Sequence, residues 1–190
     1  PPPTIQRTAS CSSPGSTPST NAMPATHSSA TLARRYGAHC VNLHVPLLLS
    51  NRALVEELKR EPVIRMQLDA VADCNKTIFA CGTCTADSHV VHTGLLDPAD
   101  VDPCAERGAI GVICGRLIDH DGNGLNREIE DRMIAVTLDQ MRGKDMGLLV
   151  GSGPDRARPM LAALRGGYAT HIATCSETAT EMLNLTENNA

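Results

Sequence analysis

A three-layer α/β protein, with a mostly parallel sheet covered by helices on both faces, is the fold class this sequence predicts. Three observations carry it. Short apolar strand-like runs alternate with amphipathic segments from about Ala25 onward, and glycines and prolines punctuate their boundaries. Gly-Leu-Leu-Val-Gly-Ser-Gly at 147–153 runs an apolar strand into a glycine loop and then straight into a helix. α/β proteins present backbone N–H groups to ligands in this way.

Each element has a local reason. Residues 1–26 are dense in Ser, Thr and Pro and read as a low-complexity segment, with a short strand possible at Thr4–Thr8. The folded domain is expected over 27–187. Ser28–Tyr36 has helical character and Gly37 is placed to end it. Cys40–Val45 alternates with period two, a strand that Pro46 closes. Ser50 is read as the cap of a helix at Asn51–Arg60 with Ala53, Leu54 and Leu58 on its apolar face. Pro62 opens the next helix, with Val63, Met66, Ala70 and Val71 turned to the core.

Thr77–Ala80 reads as a buried strand running into Cys81-Gly82, and Asp97–Arg107 as a helix. Ala109–Ile113 and Arg116–Ile118 are strand-like, and Asp121-Gly122-Asn123-Gly124 is a strong turn. Met133–Val136 is expected as a strand, followed by a short helix that Thr137 caps. Leu148–Val150, a helix at Asp155–Leu164 stopped by Gly166-Gly167, a strand at Thr170–Thr174 and a helix at Glu177–Leu183 complete the chain.

Composition narrows the function classes. The chain carries 17 Lys and Arg against 21 Asp and Glu, a formal charge of −4, and no basic stripe that would displace counterions from phosphates. Aromatic residues are only 2%, which removes the stacking platform of single-strand binders. Direct contact of this segment with nucleic acid is therefore not expected. No apolar run reaches the roughly 18 to 20 residues that cross a bilayer, so a soluble protein is expected. Eight cysteines lack a disulfide framework's regular spacing, and Cys40, Cys114 and Cys175 sit among apolar neighbours, so a reducing, cytoplasmic setting is predicted.

Several residues are candidates for chemistry. The Gly151-Ser152-Gly153 loop and Arg156 combine close backbone approach, a helix start and a full charge, although any tight strand–helix turn also needs glycine. Cys81-Gly82-Thr83-Cys84, with His89 and His92 after it, reads in three ways: a redox pair, a compact zinc site, or a ligand-lining loop built on Gly82 and Thr83. Asp131, in Glu128-x-Glu130-Asp131-Arg132, is on its own a member of a solvated charged run. His120 lies between Asp119 and Asp121, where a solvated turn histidine is a simpler reading than a general base.

Gly115-Arg116 with Asp119-x-Asp121-Gly122, Asp131-Arg132-Met133-Ile134, Leu138-x-Gln140-Met141 and Ala162-Ala163-Leu164-Arg165-Gly166-Gly167 occur in an order that points to a family. Glu61-Pro62-Val63 before an apolar helix fits as well. With these, the chain from about Thr4 to Leu185 resembles the effector-binding domain of SorC-type sugar-responsive bacterial transcriptional regulators. The resemblance implies a Rossmann-like fold similar to sugar-phosphate isomerases and deaminases, used as a sensor and not as a catalyst. A sugar or sugar phosphate is then the expected partner, with no cofactor and no metal, and a homo-dimer or tetramer is the expected assembly. The expected ligand-binding residues are Gly82, Thr83, Asp131, Gly151, Ser152, Gly153 and Arg156; the resemblance implies that Asp131 accepts from sugar hydroxyls and that Arg156 stands where the family usually places lysine. In such regulators a helix-turn-helix domain reads DNA. Neither it nor the family's first strand–loop–helix has a counterpart here, so the domain is expected to be N-terminally incomplete. An isomerase or deaminase of the same fold, using Asp131 and His120, is the alternative function; a thiol-redox or zinc protein built on Cys81 and Cys84 is a third.

Overall fold

The computed structural model describes residues 4–7, 25–43, 45–125 and 127–187. They belong to two compact units, Pro1–Cys74 with Glu128–Val136 and Asn75–Arg127 with Thr137–Ala190, between which the chain passes three times.

The first unit opens with β1 (Thr4–Arg7), α1 (Ala25–Tyr36) and β2 (His39–Asn42). The two strands pair in parallel, with Ile5 opposite Cys40. Gly37, at φ +60°, ends α1 in a conformation that costs a glycine little. β2 stops at Asn42, short of the expected Val45, because Leu43 and Val45 turn to pack against the core residues Leu49, Val55 and Ile134. His44, inside the expected strand, lies outside the described residues.

α2 (Arg52–Arg60) and α3 (Pro62–Ala72) follow. Asn51, not Ser50, caps α2: its side-chain oxygen accepts from the Leu54 N–H at 2.9 Å. The core-facing stripes are also rotated from the expected ones. Val55 is buried in α2 while Ala53 and Leu54 are exposed. In α3, Ile64, Gln67 and Val71 are buried, whereas Val63 and Met66 are 60% and 61% exposed. A helix with apolar residues on more than one side has no unique inward face until its neighbours choose one.

In the second unit β3 (Lys76–Phe79) leads to β4 (Cys81–Thr83), the single-turn α4 (His89–His92), a 3₁₀ turn at Pro98–Asp100 and α5 (Val101–Glu106). Asp97 caps this run by accepting from the Ala99 N–H at 2.9 Å. β5 (Gly111–Ile113) and β6 (Arg116–Ile118), the two expected strand-like runs, form a hairpin and, with β4, an antiparallel ladder. Its two-residue turn puts Cys114 at φ +51° and Gly115 at φ +81°, the left-handed pair that strand twist favours.

The chain returns to the first unit through α6 (Arg127–Glu130). Met133–Val136 is fully buried but is not the expected strand. Only one isolated bridge, Leu48 with Met133, joins it to the chain near residue 48, flanked by hydrogen bonds from Leu49 N–H to Arg132 and from Ile134 N–H to Leu47. Four consecutive buried apolar residues mark burial, and burial alone does not specify a ladder.

Back in the second unit, α7 (Leu138–Met141) begins at a reciprocal cap. Thr137 accepts from the Gln140 N–H at 3.1 Å and Gln140 accepts from the Thr137 N–H at 2.9 Å. β7 (Met146–Val150), α8 (Ala157–Arg165), β8 (His171–Ala173) and α9 (Ser176–Glu187) complete it. β3, β7 and β8 pair in parallel in that order. Leu149 at the sheet centre is fully buried, worth about 2 kcal/mol of transfer free energy. The other face differs from the expected covered sheet, since Ile78 is 64% and Val150 42% exposed. The connection from β3 to β7 runs through the antiparallel ladder and the first unit.

Tyr168 locks the far end of this unit. Its buried hydroxyl donates to the Gly122 carbonyl and accepts from Arg142 Nη2 at 2.8 Å, while the Arg142 guanidinium stands 4.8 Å over its ring. No helix among the described residues is long and apolar enough to cross a membrane.

Candidate functional site

The carboxyl ends of β4 and β7 bring six of the seven expected ligand residues into the second unit. After β7 the chain turns through Gly151, Ser152 and Gly153, and α8 starts at Ala157, two residues later than the sequence suggested. Pro154 and Asp155 therefore belong to the loop. Arg156, just ahead of the helix, reaches back and donates from Nη1 to the Cys81 carbonyl at 2.9 Å. A Cβ on Gly82 would stand 3.9 Å from the same nitrogen. Arg156 thus ties the glycine loop to β4. Asp131 is in the first unit, where its exposed carboxylate meets Arg52 at 3.4 Å, a surface pair of small energetic weight.

The loop's backbone donors are largely spent inside the fold. Gly151 N–H donates to the Ala173 carbonyl at 3.1 Å and Arg156 N–H to the Gly153 carbonyl at 3.2 Å. Gly153 N–H donates to Thr178 Oγ1 at 3.1 Å, and the Thr178 hydroxyl donates back to the Gly153 carbonyl at 3.1 Å. Thr178 is only 2% exposed, so the first turn of α9 clips the loop in place.

Beside this loop is a cavity of about 330 Å³. Thr83, Cys84 and Thr85, leaving β4, line it together with Ile110. The α8 side contributes Pro154, Asp155, Arg158 and Pro159, and α9 contributes Glu181. Thr83 and Thr85 hydroxyls lie 3.3 Å apart. Asp155, Arg158 and Glu181 form no ion pair or side-chain hydrogen bond with any described residue, so their charges are unspent. Sequence reasoning passed over these three, because single charges near helix ends read as solvated. Their common cavity arises from the packing of α8 against β4, β5 and α9.

The other candidates assemble differently. Cys81 and Cys84 are buried free thiols. Burial pushes Cys81 up to about 11 against the partial relief of the Arg156 charge, the reverse of an activated redox thiol. No cluster of three potential metal ligands occurs among the described residues. Cys175, expected in apolar surroundings, sits instead before α9, where the Thr178 hydroxyl at 3.2 Å and the Thr178 backbone hold its thiol below the ordinary value. His120 pairs at 3.2 Å with its neighbour Asp121 on an exposed turn, and falls in the other unit from Asp131.

The Cys81 thiol carries a pH prediction. Between the ordinary 9.0 and about 11 the folded chain holds a proton that the unfolded chain has lost, so stability falls as pH rises through that window. The expected loss is about 1–2 kcal/mol, and Cys81→Ala should flatten that limb of a urea-melt pH series.

An α/β unit with a cavity beside its strand ends, bordered by uncommitted charged side chains and two threonine hydroxyls, has the form of a small-molecule-binding domain. Residues 5–184 match the Sugar-bind family, described as "Putative sugar-binding domain", and the chain belongs to that family. It is 30% identical over 169 residues to the uncharacterized transcriptional regulator YjhU of Escherichia coli strain K12, covering 89% of this chain and 52% of that protein. It is 25% identical over 142 residues to the deoxyribonucleoside regulator of Bacillus subtilis strain 168, covering 75% and 45%. The chain therefore spans about half the length of these curated relatives. In fold it is similar to the full-length sorbitol operon regulator SorC from Klebsiella pneumoniae, with a TM-score of 0.75 at 18% identity over 83% of this chain and 50% of that one.

Proposed function

We propose that this chain is the effector-sensing part of a transcriptional regulator, binding a sugar-type ligand at the ends of β4 and β7 without turning it over. The observation that carries the reading is the cavity beside the glycine loop in a chain of the sugar-binding domain family. Of the proposed ligand residues Thr83 lines this cavity, while Gly82, Gly151, Ser152, Gly153 and Arg156 belong to the neighbouring strand and loop, which the Arg156 guanidinium ties together. Asp131 belongs to the proposal through the family resemblance. The effector domain is taken as 27–187, in a Rossmann-like arrangement similar to sugar-phosphate isomerases and deaminases. DNA is read by a separate domain of the regulator, and the whole acts in the cytoplasm as a homo-oligomer. Ligand binding shifts the population between its states.

A thermal-shift series with five- and six-carbon sugars and their phosphate esters tests this. A ligand at 100 times its Kd adds about 2.7 kcal/mol of stability. Stabilisation that is lost in Thr83→Val is the expected result. If no sugar or sugar phosphate stabilises the chain, the sensor reading fails.

A further inference from the structure

We infer that Gly111 determines the size of ligand the cavity admits, because it is the seat on which the start of α8 rests. This rests on the sugar-binding reading and adds what sets the width of that site. The cavity lies between two walls of the second unit. One is the β4–β5 ladder and its flanks, represented by Thr83 and Ile110; the other is the first turn of α8, with Arg158 and Pro159. Thr83 and Gly111 are direct partners across the ladder, and Gly111 pairs on its other side with Ile118. Partners in such a row project to the same face. Between the Thr83 and Ile118 side chains Gly111 therefore leaves a gap.

Pro159 fills it. A Cβ on Gly111 would stand 3.0 Å from the Pro159 Cβ, 3.3 Å from its Cα and 3.4 Å from Ile118 Cγ1. Gly111 is not among the glycines at positive φ, so its backbone would accept a side chain and only the space forbids one. Pro159 is fully buried, and its ring is closed onto the backbone, so it has no rotamer by which to swing aside. A methyl group added at Gly111 must therefore move the first turn of α8, and with it one wall of the cavity. At about 330 Å³ the cavity is near the lower end of the roughly 300–1,000 Å³ typical of small-molecule sites. A shift of a few tenths of an ångström then changes which ligands fit.

The test is a calorimetric titration of the intact 190-residue chain and of Gly111→Ala. The probes are five- and six-carbon sugars and their phosphate esters, then the mono-O-methyl ethers of whichever compound binds. In the wild-type chain at least one ether should bind about tenfold more weakly than its parent, the effect of an extra methyl against a fitted wall. In Gly111→Ala that penalty should shrink to about threefold or less, while the parent compound itself binds more weakly. Melting curves show whether the variant folds. A folded Gly111→Ala that keeps the wild-type penalty overturns the inference and leaves the sugar reading standing. A wild-type chain that binds every ether as tightly as the parent does the same. If Gly111→Ala does not fold, Pro159→Gly, which deletes the contact from the other side, decides by the same measure. If no sugar or ester binds, the sugar reading falls and the inference with it.

Discussion

Gly122→Ala is expected to cost the second unit about 4 kcal/mol, at the upper end of what single substitutions do. Two penalties coincide. Gly122 sits at φ +83°, where an L side chain is strained, and its added Cβ would stand 2.5 Å from the Ala162 carbonyl oxygen and 2.6 Å from the Gly166 Cα. Both opposing atoms are backbone at the end of α8, so no side chain can swing aside. The Gly122 carbonyl also accepts from the buried Tyr168 hydroxyl, so moving the turn breaks that bond. Gly143→Ala is the control: at φ +66° with open space around its Cβ, it should cost only about 1–2 kcal/mol. Urea melts of the two variants separate clash from backbone strain. Equal losses would refute the packing argument.

Thr178→Val should cost about 3 kcal/mol and weaken ligand binding as well. Valine keeps the volume but removes the hydroxyl that both accepts from and donates to Gly153, leaving the Gly153 N–H without its partner and the Gly153 carbonyl with only the Arg156 N–H. The loop on which the site depends then loses its tie to α9. Thr178→Ser, which restores the hydroxyl, should recover most of the binding. A ligand affinity unchanged in a folded Thr178→Val would show that the clip serves stability alone.

What could be read in advance was local. Pro62 at a helix start, Thr137 as a helix cap, the 121–124 turn and the two strand-like runs that become β5 and β6 all carry their instructions within a few residues. What escaped was decided at a distance. The inward stripe of α3 passed from Val63 and Met66 to Ile64 and Gln67 because apolar residues there leave the phase to the neighbours. Met133–Val136 was recognisably buried, yet whether it forms a ladder depends on the chain near Leu48, about 85 residues earlier. The site follows the same division. The glycine loop announced itself, while Asp155, Arg158, Glu181 and Thr178 acquired their roles only when α9 met the loop and the cavity.

The interrupted course of the first unit has a consequence for synthesis. Of its three central apolar residues, Leu49 and Val55 leave the ribosome early, but Ile134 follows only after the 53 residues from Asn75 to Arg127 have been made. The nascent first unit therefore waits with part of its apolar surface uncovered, which is when chaperones act on growing chains. A stop anywhere before residue 134 leaves that surface open permanently, so truncated products of this gene should be cleared or aggregate and not persist as half-proteins.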